Sequence, residues 1–206
     1  DNTVKLINSF SKNDSRINLF RLKKNSGAGI ARNNSIKYAK GRFIAFCDSD
    51  DQWKENKLEL HVKFMQENEL IFSFTDYDII DENDNYKGYI KCPKILTYKQ
   101  LLKNNYVGCL TVIYDTKFLG KLMMPKIRKR QDWVLWLKIM KKIKITRGLN
   151  TSLSIYRKRS NSISSSKLNL IRYTWNVYYD ELGFNKVKSF YYLIKFSFNY
   201  IQKKII

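Results

Sequence analysis

The chain has 206 residues, which is enough for one α/β domain with an appendage and a substantial core. A hydrophobic content of 44% and an aromatic content of 15% exclude an intrinsically disordered protein. The 39 basic residues against 18 acidic ones give a net charge of +21, so we expect an anionic partner: nucleic acid, an anionic membrane surface or a phosphate-bearing substrate.

The three cysteines and the single histidine exclude several kinds of metal and catalytic site. Cys47, Cys92 and Cys109 share no metal-like spacing, which favours a reduced, cytoplasmic compartment. His61 is the only histidine, which excludes a histidine-based triad or zinc site, and we predict that it lies at the surface. We see no signal peptide and no apolar stretch long enough to span a membrane.

The first elements lead to a glycine-containing loop. We predict a short helix within Asp1–Ser11, a strand at Ile17–Leu22, and a helix at Gly29–Ala39 after a polar loop. Gly27 permits close backbone approach, and the amides at the start of the following helix could bind an anion. Arg32, on the first turn, could reach a phosphate group, although a surface ion pair is the alternative.

An apolar run followed by carboxylates organises the middle of the chain. Phe43–Cys47 is typical of a buried strand, and it ends abruptly in Asp48, Asp50 and Asp51. Ligands bind beyond the carboxyl ends of strands in open α/β sheets. Carboxylate oxygens suit Mg²⁺ or Mn²⁺ bridged to a substrate diphosphate. The alternative is ordinary turn and helix-cap chemistry.

The next elements alternate between helices and strands. We predict them at Asn56–Glu67 (helix), Leu70–Ile80 (strand), Tyr86–Ile90 (strand), Tyr98–Lys103 (helix) and Val107–Tyr114 (strand). A hairpin within this stretch carries Asp76, Asp78 and Asp81, and the pattern does not assign them individual roles.

The last part of the chain combines an acidic helix start with basic segments. Asp132 comes directly before an amphipathic aromatic helix, where it could serve as an N-terminal cap. A strand at Gly148–Tyr156 precedes a basic, serine-rich loop at Arg157–Ser166. Two helices follow, at Leu168–Leu182 and Lys188–Lys204.

The final helix interleaves Phe, Tyr, Leu and Ile with Lys. That composition suits a helix lying at an anionic membrane surface. Packing against the rest of the domain explains the pattern equally well.

These motifs together resemble the family-2 glycosyltransferases of the GT-A fold. The resemblance is carried by N-S-G-A-G-I-A-R-N before the apolar strand, D-S-D-D after it, W-K-E-N-K-L-E, Q-D-W, and Y-R-K-R-S-N-S-I-S. It extends from Asp1 to about Ser164. It implies an α/β fold with a Rossmann-like mixed sheet, divided into a GT-A domain at residues 1–166 and C-terminal basic amphipathic helices at residues 167–206.

The resemblance also implies that the domain is N-terminally incomplete. The opening D-N-T matches only the end of the turn after the family's second strand, so the family's base-binding carboxylates have no counterpart here. Strands beside Phe43–Cys47 and Ile17–Leu22 would then be missing. We therefore expect a fragment that is unstable or inactive alone.

The implied activity is inverting, metal-dependent transfer of a sugar from a nucleotide-diphosphate donor to a hydroxyl of a glycan or lipid-linked glycan in bacterial surface polysaccharide synthesis. The resemblance assigns the catalytic base to Asp132, Mg²⁺ or Mn²⁺ binding to Asp48 and Asp50, and donor binding to Arg32, Gly27, Asp48, Asp51 and Arg157. The expected location is the cytoplasm, with peripheral attachment to the inner face of the plasma membrane as a further expectation.

Two other classes compete with this interpretation. The net charge and the Lys/Arg–aromatic interleaving would suit a nucleic-acid-binding protein, but no recognised nucleic-acid motif is present, which makes that partner the weaker choice. An inactive remnant that serves as a membrane-associated module is the other alternative.

Overall fold

A computed structural model describes residues 2–159 and 167–205, apart from the side chains of 167–169 and 201–205. Asp1 and most of the predicted loop Arg157–Ser166 therefore lie outside the described residues, as does the predicted boundary between residues 166 and 167. The domain division stays a prediction.

The helices agree with most of the predicted positions. They are α1 Thr3–Asn13, α2 Ala28–Tyr38, α3 Lys57–Glu67, α4 Tyr98–Lys103, α5 Thr116–Leu119, α6 Gln131–Ile143, α7 Lys167–Asn176 and α8 Lys186–Ile205. A 3₁₀ turn at Cys109–Thr111 and a π-helical turn at Val177–Glu181 complete the helical structure. In the part of the chain that is described, no helix is both long and apolar enough to span a bilayer.

Within the described residues, seven strands form a mixed sheet. They are β1 Phe43–Ala45, β2 Gln52–Trp53, β3 Phe72–Ile80, β4 Tyr86–Ile90, β5 Ile95–Thr97, β6 Ile113–Asp115 and β7 Ile145–Arg157. The order is β1-β6-β3-β7-β2, with β4 beside β3 and β5 beside β7. The central pair β3 and β7 is parallel and the other pairs are antiparallel. This confirms the predicted α/β fold with a mixed sheet.

The core lies between this sheet and α6. Trp133 and Trp136 of α6 are fully buried. The Trp136 ring lies 5.5 Å from Phe72 of β3 and 5.7 Å from Phe46, which follows β1. The Trp133 indole donates a 3.0 Å hydrogen bond to the carbonyl of Leu101 in α4. These contacts fix the start of α6 relative to the end of β1.

The C-terminal helices pack onto the same core. The Tyr178 hydroxyl donates a 2.5 Å hydrogen bond to the Leu102 carbonyl, and the Phe196 ring lies 5.2 Å from Trp133. Phe196 is only 2% exposed. One side of α8 therefore packs against the domain, as one of the two sequence interpretations expected.

Two predicted strands are wrong. Residues 17–22 form no strand, because no described strand lies beside them to complete a ladder. Their apolar side chains Ile17, Phe20 and Leu22 are exposed, and Phe20 stacks on Tyr38 of α2. Within the predicted strand Val107–Tyr114, a 3₁₀ turn closed by Thr111 amide and hydroxyl bonds to the Gly108 carbonyl leaves only β6 extended.

The prediction of a surface position for His61 is also wrong. The face of α3 that packs inward carries Lys57, His61 and Met65, all fully buried or nearly so. Lys57 is accommodated because its ammonium donates a 3.4 Å hydrogen bond to the Thr111 carbonyl and lies 5.4 Å from the Trp53 ring. Burial lowers the pKa of His61 to about 3, so the imidazole is neutral at physiological pH.

Candidate active site

The acidic residues after β1 form a turn that is held against the end of β7. The Asp51 amide donates a 3.0 Å hydrogen bond to the Asp48 carbonyl, which closes the turn. β2 then pairs with Ser154 and Ile155 of β7. The Arg157 amide donates a 3.1 Å hydrogen bond to Asp51 Oδ1. The three carboxylates are therefore held at one edge of the sheet.

Arginine side chains neutralise this acidic turn. Arg32 of α2 donates through Nε to Asp48 Oδ1 at 3.0 Å, and its second nitrogen pairs with the other oxygen of the same carboxylate. Arg159 Nε lies 3.3 Å from Asp50 Oδ2. Arg157 donates through Nε to the Asp50 carbonyl at 3.1 Å. Each end of the turn thus has an arginine partner.

The guanidinium of Arg157 is also tied to the β3–β4 turn. Its Nη1 donates to the Asp81 carbonyl at 3.2 Å and lies 2.8 Å from Asp84 Oδ1. Its side chain is 16% exposed. This residue therefore joins two loops at the edge of the site.

Asp132 reaches the site because the starts of α2 and α6 abut. A Cβ on Gly29 of α2 would lie 3.1 Å from Cγ of Gln131, the first residue of α6, so glycine permits this close packing. Asp132 is the second residue of α6 and not the residue before it, and Arg130 in left-handed backbone precedes the helix. The Asp132 side chain is half-buried. None of the described residues forms a hydrogen bond or an ion pair with it, although Arg32 and Arg130 are near enough to interact with its charge.

The electrostatic environment of Cys109 shows that these groups converge. Burial raises the pKa of this thiol well above its usual value. Arg32 lowers it, and Asp132, Asp48 and Asp51 raise it further. Because Coulomb interactions fall with distance, the arginine and the three carboxylates lie near this thiol. Residues that are up to 100 positions apart in the sequence thereby form one cluster.

Within this cluster the carboxyl of Asp51 has a raised pKa. Its pKa rises from 3.8 to about 6, chiefly because the carboxyl is partly buried. The amide of Arg157 opposes this rise, the neighbouring charges of Asp48 and Asp50 add to it, and Arg32 opposes it. The charge on Asp51 is therefore disfavoured in the folded protein.

Tyr77, Tyr156 and Cys109 also belong to the site, although no role was predicted for them from the sequence. Tyr77 of β3 and Tyr156 of β7 meet edge to face at 6.3 Å. Burial, Tyr156 and Asp51 raise the pKa of Tyr77 to about 12. The sequence alone assigns no role to Cys109 or Tyr77, although the neighbours Gly108 and Thr111 match the family's small-residue segment that faces the acceptor. The 3₁₀ turn and the parallel pairing of β3 with β7 bring the two residues here. Tyr156 lies in the Y-R-K-R-S-N-S-I-S motif, so the family resemblance could have indicated it.

The remaining aspartates of the hairpin are structural. Asp76 is fully buried and accepts hydrogen bonds from the Cys92 amide at 2.7 Å, from Asn150 Nδ2 at 3.2 Å and from the Tyr89 hydroxyl. Asp78 pairs with Lys54, with the ammonium 2.8 Å from its carboxylate, and Asp81 accepts bonds from the amides of its own turn.

The acid groups do not by themselves make a complete metal centre. Among residues 2–159 and 167–205, no group of three or more His, Cys, Asp or Glu side chains is arranged to hold an ion. Asp48 and Asp50 offer two carboxylates, which is the number that Mg²⁺ often takes from protein when phosphate oxygens and water supply the rest. The donor set therefore fits a metal that binds together with a diphosphate.

Comparison with known proteins gives a consistent result. A family model described as glycosyl transferase family 2 matches residues 1–121. The chain is 39% identical over 206 residues to the putative teichuronic acid biosynthesis glycosyltransferase TuaG of Bacillus subtilis, covering all of this chain and 82% of that protein. It is 40% identical over 205 residues to the UDP-Glc:alpha-D-GlcNAc-diphosphoundecaprenol beta-1,3-glucosyltransferase WfgD of Escherichia coli, covering 98% and 79%.

A solved structure shares the fold at lower identity. TarS of S. aureus, crystallised as residues 1–349 in complex with UDP-GlcNAc, matches with a TM-score of 0.69 and 18% identity. The match covers 95% of this chain and 59% of that one. The same likeness holds for the complex with UDP, with a TM-score of 0.67.

Proposed function

Because the chain belongs to glycosyltransferase family 2, and so to the nucleotide-sugar glycosyltransferases, we propose that it transfers a sugar with inversion to a hydroxyl of a lipid-linked glycan in bacterial surface polysaccharide synthesis. The observation that carries this proposal is the arrangement at one edge of the sheet, where Arg32 pairs with Asp48, the Arg157 amide binds Asp51, and the start of α6 with Asp132 abuts α2. The names of TuaG and WfgD support the substrate class.

The donor diphosphate would bind at the start of α2. This helix has no side-chain cap, so its first amides are available to an anion. Gly27, with φ of 83°, precedes the helix and allows close approach. Arg32 would contribute a guanidinium, while Asp48 and Asp51 border the donor sugar. Arg157 would act through the loops that it holds together.

Asp48 and Asp50 would hold Mg²⁺ or Mn²⁺, with the other ligands coming from the diphosphate and water. The metal would neutralise charge on the departing nucleoside diphosphate. Because both carboxylates are paired with arginines in the structure, donor binding requires these ion pairs to rearrange.

Asp132 would take the proton from the acceptor hydroxyl. Its position in the first turn of α6 places the carboxylate where the helix dipole stabilises negative charge. A single displacement by the acceptor oxygen, with Asp132 as general base, inverts the anomeric centre. The side-chain cluster would hold the donor in position for that attack.

The test compares Asp132→Asn with the original chain. UDP-glucose and UDP-GlcNAc serve as donors and a GlcNAc-diphosphate lipid as acceptor, and calorimetry with Mn²⁺ measures donor binding separately. We expect unchanged donor affinity and a loss of transfer of about 10²- to 10⁴-fold. Asp180→Asn, an exposed aspartate outside the site, is the matched control.

Transfer that persists in Asp132→Asn would remove this residue from its role. Nucleotide binding that is equally strong with EDTA would contradict metal dependence. If neither UDP nor GDP nor another nucleoside diphosphate binds, the proposal that these residues suffice for a donor site is wrong.

The cytoplasm remains the proposed location. The three cysteines are free thiols, and Cys92 is buried, which suits a reducing compartment.

A further inference from the structure

The outward side of α8 carries a continuous apolar stripe. Its members recur at spacings of three and four residues, which places them on one helix face. All are exposed: Val187 80%, Phe190 58%, Tyr191 51%, Ile194 52% and Phe198 58%. The opposite side of the helix is the one that packs, with Ser189 and Phe196 buried. The stripe is therefore not part of the core.

Neighbouring residues of α7 widen this surface. Ile171 is 50% exposed, and together with Trp175 it lines a shallow groove against Phe190 and Leu193 of α8. Arg172 borders the same groove. Contiguous apolar surface of this kind is uncommon on monomeric proteins and marks a site of interaction.

Positive charge flanks the stripe on both sides. By helical spacing, Lys188 and Lys195 lie along one edge and Lys186 lies along the other. No Asp or Glu occurs in the sequence of α8. An apolar face bordered by lysines, with aromatic rings among them, matches the chemistry of an anionic lipid surface.

We propose that α8, with the adjoining part of α7, docks the protein on an anionic lipid bilayer. The helix lies in the plane of the interface, with the stripe in the boundary between headgroups and acyl chains and the lysines at the lipid phosphates. A protein partner would need acidic groups around an apolar centre, whereas an anionic bilayer supplies both along the whole length of the stripe.

The docked orientation would bring the site close to the membrane. The guanidinium carbon of Arg130 lies 4.9 Å from the Phe196 ring, and Lys129 Nζ lies 5.6 Å from the ring of Tyr173 in α7. Both basic residues directly precede α6, whose second residue is Asp132. The surface is thus one helix away from the proposed base, which suits a lipid-linked acceptor, and this part of the inference rests on the proposed function.

The experiment measures cosedimentation of the 206-residue chain with vesicles. Phosphatidylcholine vesicles are compared with vesicles that also contain phosphatidylglycerol. We expect binding to the anionic vesicles, weakened by salt, and little binding to the neutral ones. Phe190→Ser/Ile194→Ser should lower the partition coefficient at least about tenfold, because these side chains enter the interface.

Two matched controls distinguish the loss of side chains in the α8 surface from the loss of similar exposed side chains elsewhere. Phe118→Ser/Ile145→Ser removes apolar side chains that are 62% and 55% exposed elsewhere on the surface, and it should bind vesicles normally.

Lys188→Gln/Lys195→Gln should weaken binding by about fivefold for each lysine. Its control, Lys5→Gln/Lys12→Gln, removes two exposed lysines from α1 and should change binding little. Circular dichroism checks that every variant folds.

Failure to bind the anionic vesicles would overturn the proposal, as would equal losses in the stripe variants and their controls. A dimer in solution that Phe190→Ser/Ile194→Ser dissociates would overturn it too, since a second copy would then cover the stripe. Calorimetric titration of nucleoside diphosphates without vesicles tests the proposed function separately. The stripe variants should bind the donor normally.

Discussion

Replacing Asp51 by Asn tests whether the acidic turn is strained by its own charge. The folded protein raises the pKa of this carboxyl from 3.8 to about 6, mainly through burial, with further contributions from the adjacent carboxylates. Ionisation of Asp51 therefore costs more in the folded state than in the unfolded chain. An Asn side chain keeps an oxygen that can accept from the Arg157 amide but carries no charge.

The size and the pH dependence of the effect on folding stability follow from the difference between the folded-state and unfolded-state pKa values. Each pKa unit corresponds to about 1.4 kcal/mol, so a rise from 3.8 to about 6 amounts to about 3 kcal/mol, or about 2 kcal/mol after allowance for solvent screening. Well below pH 3.8 the carboxyl is protonated in both states and destabilises neither. Between pH 4 and about 6 the folded state binds more protons than the unfolded state, so stability falls as pH rises. Above that range the loss is complete.

The assay is urea unfolding of Asp51→Asn and the original chain between pH 4 and pH 8, in EDTA. We expect the stability difference in favour of the variant to grow by about 2 kcal/mol across this range and then to level off. The corresponding rise in Tm at neutral pH is about 4–8 °C. Asp180→Asn, which is exposed, should follow the original chain. A stability difference that does not change with pH would refute the reasoning.

Three further substitutions test other parts of the structure. Asp50→Ala should abolish the Mn²⁺-dependent part of nucleotide binding in calorimetry; equal binding with Mn²⁺ and EDTA in both proteins would contradict the metal assignment. Gly148→Ala should lower the free energy of unfolding by about 2 kcal/mol or more, since a Cβ there would lie 2.7 Å from Cys92 Sγ, and an unchanged Tm would show that the backbone yields. Arg42→Ala should lower the urea midpoint, because Asp115 is 1% exposed and loses its cation, and an unchanged midpoint would show that this half-exposed pair is weak.

Several elements could be predicted because their signals are local. The predicted helix Tyr98–Lys103 has the same bounds as the observed one. Its start is set by a local signal, because Thr97 and Gln100 form a capping box with a 3.2 Å hydrogen bond from the Gln100 amide to the Thr97 hydroxyl. Tyr86–Ile90 likewise agrees, because Asp81 and its asparagine-rich turn set the start of the hairpin. The apolar run Phe43–Cys47 predicts the position of β1, although the strand already ends at Ala45.

Other features depend on contacts that a sequence does not display. A β-strand requires a neighbour, so the apolar alternation of Ile17–Leu22 could not reveal that no described strand pairs with it. The inward face of α3 carries Lys57, which bonds to the Thr111 carbonyl, together with polar His61 and apolar Met65, while Leu58 is left 49% exposed. In both cases tertiary contacts prevail over local periodicity.

The residues of the candidate site likewise include some that the sequence predicts and some that only the tertiary structure reveals. Asp48, Arg32 and Asp132 could be proposed because each belongs to a recognisable motif, and the structure brings them together. Cys109 could not, because its place among the charges results from the 3₁₀ turn that replaces the predicted strand.

The arginines around the acidic turn connect its stability with its proposed chemistry. Three carboxylates within four residues repel one another, and the chain supplies its own counterions, most closely Arg32 to Asp48. Under the proposed function Asp48 would hold the metal in place of its arginine, and the Arg32 guanidinium would become available to a phosphate oxygen of the same donor. The exchange keeps every charge paired, because Arg32 gains a phosphate when it gives up Asp48. A partly buried arginine with two such alternative partners can therefore stabilise the turn before the donor binds and contribute to donor affinity afterwards.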